Sequence, residues 1–95
     1  MVTEVPGPKW DRSRPRREQD GWDDHAAFVD RLAEAGVIVV AGPLGDPAYG
    51  PALVVVNADN EADVWQRLAE DPWFDTMLTI ESIQPWSIWV GALAG

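Results

Sequence analysis

The sequence predicts an α+β fold of order β-α-β-β-α-β, the ferredoxin-like plait with a four-stranded antiparallel sheet, and three observations carry that prediction. Apolar residues recur at helical spacing twice, at Trp22, Ala26, Val29, Leu32 and Ala33 and again at Val64, Trp65 and Leu68. Between those two segments lie two short β-branched runs, VIVV and ALVVV, separated by the turn-rich GPLGDPAYGP. A further short strand pattern stands before the first helix and another after the second, which completes the order. Ninety-five residues make one domain, 1–95, with a single core but too little chain to bury both faces of a wide sheet.

Each element has its own local reason. Met1 to Val5 can run as a strand until Pro6 and Pro8 remove backbone donors. The segment from Trp10 to Gly21 is polar and irregular. The first helix starts at Trp22 and stops at Gly36, a residue suited to a left-handed cap. Val37 to Ala41 and Ala52 to Val56 read as the second and third strands. Asn60 is a good N-cap, and Glu61 and Asp63 place acids in the first turn of the second helix. Trp65 is assigned to the core with Val64 and Leu68. Asp71 before Pro72 looks like a cap and a first helical position, so a single short turn follows. Met77 to Ile83 is the last strand, and QPWSIWVG is an apolar tail.

The middle strands also bear on assembly. VIVV and ALVVV are apolar at consecutive positions, so side chains on both faces call for burial. Two helices cover one face only. A second copy packed sheet against sheet would cover the other, which predicts a homodimer.

Composition narrows the function. The formal net charge of −9 argues against nucleic-acid binding. No apolar run approaches the roughly 20 residues of a membrane span, and the start has no signal-like apolar region, so a cytoplasmic protein without membrane association is expected. There is no cysteine, hence no thiolate nucleophile and no zinc-thiolate site. One histidine and scattered carboxylates form a poor metal set, no GxxxxGK[ST] phosphate loop occurs, and no nucleophile elbow surrounds Ser13, Ser82 or Ser87. Neither a metal nor a cofactor is expected. Five of the seven basic residues, Lys9, Arg12, Arg14, Arg16 and Arg17, cluster in KWDRSRPRR. That loop is either solvated and paired with nearby acids or a device that steers an anion.

The single histidine, His25, sits in the helix WDDHAAFVDRL among apolar residues, where it is either a packed core residue or the working group of a site. Asp71 taken alone is a helix cap. The succession GPKWD, EQDGWDDHAAFVDRL, GVIVVAGPLGD, LAEDPWF and SIQPW resembles the YciI-like (YCII-related) family of the dimeric α/β barrel superfamily over nearly the whole chain. The resemblance rests on order and spacing rather than on one motif. It implies the plait dimerised into an α/β barrel, and a site that pairs the histidine early in the first helix with the aspartate of the DP motif, which here are His25 and Asp71. The first strand, starting almost at Met1, is shorter than the family implies.

Chemistry compatible with that pair is proton transfer. An imidazole takes and returns a proton near neutral pH, and a carboxylate beside it fixes the tautomer and stabilises the imidazolium. Removing a proton next to a carbonyl builds negative charge on oxygen, which an arginine of the basic loop would hold. Arg17, nearest the helix of His25, is the first choice and Arg14 the second. Gly42 and Pro43 of the GPLGD loop are expected to edge the pocket, with Trp10, Trp22 and Trp73 as candidate aromatic walls. Two readings of function stand. One is a small cofactor-free acid–base enzyme of lyase, isomerase or dehydrochlorinase type acting on an anionic or phenolic ring-derived metabolite. The other is a non-catalytic module that binds such a small molecule for a partner enzyme.

Overall fold

A computed structural model describes residues 1–91. Its elements are β1 (Val2–Pro6), α1 (Trp22–Glu34), β2 (Ile38–Pro43), β3 (Ala52–Val56), α2 (Glu61–Leu68) and β4 (Leu78–Ile83). A single 3-10 turn, Arg16–Glu18, interrupts the irregular stretch before α1. The sheet runs β2-β3-β1-β4 with all neighbours antiparallel, an order compatible with the ferredoxin-like plait. No helix among the described residues is long and apolar enough to cross a membrane.

The helix ends follow the chemistry of their residues. Gly36 takes φ 76° after α1, and the bonds Gly36 N–H to Ala33 O and Val37 N–H to Leu32 O form the paired closure of a Schellman cap. At α2 the side chain of Asn60 accepts from the Asp63 amide at 2.9 Å. These caps place both helices at set points along the strands they follow.

The core lies between the helices and one face of the sheet. Val2 and Val54, cross-strand partners, pack there with Phe28 and Leu32 of α1 and Val64 and Leu68 of α2. Trp65 is not part of it: the ring is 40% exposed and meets Phe74 edge-on at 6.2 Å. Val64 and Leu68, four residues apart, share the inward face of a helix of only eight residues. Trp65, one position on, is turned about 100° away from that face.

On the other face the registers Thr3↔Leu53 and Val40↔Val55 have no helix over them, and of the two valines Val55 is buried and Val40 exposed. Val39 and Val40 are exposed there and along the β2 edge. A second, smaller cluster of Trp10, Trp73 and Leu78 fills the end of the sheet where β1 and β4 meet the loop after α2. It is this cluster that backs the site.

Candidate functional site

His25 and Asp71 are 46 residues apart in sequence and in direct contact in the fold. His25 lies in the first turn of α1, its amide bonded to the Gly21 carbonyl at 3.0 Å. Its Nδ1 lies 2.8 Å from Asp71 Oδ2 and 2.9 Å from Oδ1. Both residues are buried, so the contact is shielded from water. Asp71 also caps the turn that follows, since its Oδ1 accepts from the Trp73 amide at 2.9 Å. Capping and histidine pairing, which sequence alone sets as alternatives, are two uses of one carboxylate.

The imidazole is fixed on a second side by stacking. The Trp73 ring lies 4.2 Å from it, centroid to centroid, with planes 7° apart. Trp73 is itself held by its indole N–H, which donates to the Asp20 carbonyl at 2.8 Å. Trp10 meets Trp73 edge-on at 5.9 Å. With Nδ1 engaged by Asp71, Nε2 is the nitrogen left for a ligand.

A cavity of about 150 Å³ opens beside the pair, between α1 and the sheet. His25, Asp71, Trp22, Gly42 and Pro43 are in its wall, and so are Glu4 and Arg16. Trp10 and Trp73 are buried behind the histidine and do not line it. Arg14 and Arg17 lie outside it. Arg14 is half exposed and 3.5 Å from exposed Asp20, a contact of little energetic weight, while Arg17 stands over the Trp22 ring at 5.9 Å. Larger surface depressions, such as one of about 470 Å³ along α2, contain no histidine.

Sequence reasoning missed Glu4, and it named Arg16 only as one of the basic loop that could steer an anion. Glu4 sits on the same face of β1 as Val2, two residues earlier, and is buried like it. A lone carboxylate at an inward parity position was a legible signal. Burial above all, and then the negative charge of Asp71, push the Glu4 carboxyl up from 4.5 to about 7, against the opposing pull of His25 and Arg16.

Arg16 is turned inward by the 3-10 turn, whereas the neighbouring Arg17 is turned out. Buried Gln19 anchors the loop ahead of that turn: its amide nitrogen donates to the Asp11 and Arg14 carbonyls at 2.6 and 2.8 Å, and its oxygen accepts from the Asp11 amide at 2.9 Å. The 44–51 loop closes from the other side. The Arg16 amide donates to the Ala48 carbonyl at 2.8 Å, and its Nη2 donates to the Gly50 carbonyl. The guanidinium also lies 5.3 Å over the Trp10 ring. Burial lowers the Arg16 pKa and Glu4 opposes the shift, but a guanidinium stays a cation throughout the working range.

Comparison with models of known protein families, with curated proteins and with solved structures finds no match for this chain.

Proposed function

We propose that the chain is a small, cofactor-free acid–base enzyme of lyase, isomerase or dehydrochlorinase type, related to the YciI-like family, acting on a small anionic or phenolic ring-derived metabolite. One observation carries this reading: a buried histidine whose Nδ1 is held by a carboxylate at 2.8 Å while its ring lines a cavity. In the reaction, Nε2 of His25 takes a proton from the carbon next to a substrate carbonyl. Asp71 accepts the hydrogen bond from Nδ1 and stabilises the imidazolium. The electron pair moves onto the carbonyl oxygen, and the enolate then either expels a leaving group from the β carbon or regains the proton elsewhere. Stacking on Trp73 and the bond to Asp71 hold the ring in place, so little reorganisation accompanies the transfer.

The working form in this reading is a homodimer, two sheets closing an α/β barrel. Exposed Val40 of β2, on the side away from the helices, supports it.

The test is solvent exchange. Cyclic keto and β-hydroxy acids incubated with the protein in D₂O should lose the proton next to the carbonyl, as followed by proton NMR, and His25→Ala should not catalyse that loss. Binding without exchange in the wild type would replace this reading with that of a non-catalytic ligand-binding module.

A further inference from the structure

The cavity wall holds a cation that is in no ion pair. Arg16 is about nine-tenths buried, yet it forms no ion pair with any described carboxylate, Glu4 included. Its Nε lies out of reach of solvent and has no hydrogen-bond partner among the described residues. One backbone carbonyl, that of Gly50, receives a guanidinium bond. Buried polar groups are satisfied in the great majority of cases, and a charged one left open is costly. Arg16 is itself in the cavity wall, so a ligand there meets a guanidinium that no carboxylate has paired.

The loop architecture argues that this exposure to the cavity is built. Gln19 anchors the chain before Arg16 and the 44–51 loop holds it from behind, so Arg16 is fixed at the cavity wall. Gly50 has no room for a side chain: a Cβ there would stand 2.2 Å from the Leu44 carbonyl oxygen. The close approach that brings the Gly50 carbonyl to Arg16 depends on it.

We propose that Arg16 is the anion-binding residue of this cavity and that its guanidinium takes the carboxylate of a small acid no larger than about one six-membered ring. The size limit comes from the volume, about 150 Å³, since a cavity of that order accepts a benzene ring. The charge follows from Arg16, the only arginine or lysine among the described residues of the cavity wall. Glu4 faces the same space, with Asp71, His25 and Arg16 as the charged groups around it, and its protonated form would not compete with the ligand for the guanidinium. This inference rests on the cavity also being the reaction site. It names the substrate class of that site and assigns to Arg16 the role that sequence reasoning gave to Arg17 and Arg14.

Benzoate and its neutral isostere benzamide test it, by calorimetric titration of the full chain. Wild type should bind benzoate tighter than benzamide by about tenfold or more, as a charge-assisted bond requires. Arg16→Gln should abolish the preference and Arg16→Lys should retain part of it, with circular dichroism checking the fold of both. Proton–nitrogen spectra of wild type provide a readout that needs no variant: the Arg16 Nε–H signal should shift as benzoate is added. Equal affinity of wild type for the two compounds, a preference that survives Arg16→Gln, or an unmoved Nε–H signal would each overturn the assignment. Benzoate has no proton next to a carbonyl for His25 to remove. Arg16-dependent binding in a protein that exchanges no substrate proton would therefore sink the enzymatic reading alone, and exchange without dependence on Arg16 would sink this one alone.

Discussion

At the scale of residues, the site is a set of four ionisable groups in one small volume, and each makes a different demand. His25→Ala removes the proposed base while leaving Asp71 bonded to the Trp73 amide, so the turn after α2 keeps its cap. Turnover should fall by roughly 10²–10⁴ with the circular dichroism unchanged. A parallel loss of structure would instead mark the histidine as a packing element. Glu4 makes a prediction about pH. Its carboxyl is pushed up to about 7 in the fold, so between about 4.5 and 7 the folded chain holds this proton more tightly than the unfolded chain does. Stability from this group is therefore present below that window and is lost as pH rises through it. Glu4→Gln should flatten that slope and leave the variant more stable than wild type at pH 8, by up to about 3 kcal/mol. Melting curves of the two proteins that run parallel from pH 5 to 8 would contradict it.

At the scale of elements, the loops do more for the site than the strands. Helix α1 delivers His25 from its first turn, and its Schellman closure returns the chain to β2. The 3-10 turn and the 44–51 loop then meet around Arg16, where Gly50 is the tightest point. Gly50→Ala would set a methyl group against the Leu44 and Asp46 carbonyl oxygens. The loop must shift, and the Gly50 carbonyl leaves Arg16. The expected result is a destabilisation of about 1–3 kcal/mol by thermal melting, together with weaker benzoate binding. Wild-type stability and binding in this variant would show that the loop does not hold the guanidinium.

For the whole molecule, the decisive feature is a sheet whose helix-free face carries an exposed apolar residue. The pairing Val40↔Val55 places an exposed valine next to a buried one on the side away from the helices. If two copies meet on that face, Val40→Lys should introduce a charge into the contact without touching the core. Light scattering should report the mass of two chains for wild type and of one for the variant at micromolar concentration, with the same far-ultraviolet spectrum. A wild-type monomer at that concentration would remove the barrel from the account.

The sequence by itself determined the element order, because that order is written in local periodicity and in caps. Asn60, Gly36 and the β-branched runs act on neighbours within a few residues, and β3 occurs over the very residues expected of it. It also singled out His25 and Asp71, the second through resemblance, since neither helical spacing nor capping says which distant carboxylate the one histidine will meet. Only the tertiary structure decided what surrounds that pair. Arg16 and Arg17 are adjacent and chemically alike, and one turn of 3-10 helix anchored by Gln19 sends the first inward and the second out. Trp65 and Trp73 are likewise both tryptophans next to apolar neighbours, yet one is largely outside a short helix and the other is stacked flat on the imidazole. Inward or outward placement at such positions depends on contacts between residues tens of positions apart, and no local pattern encodes those contacts.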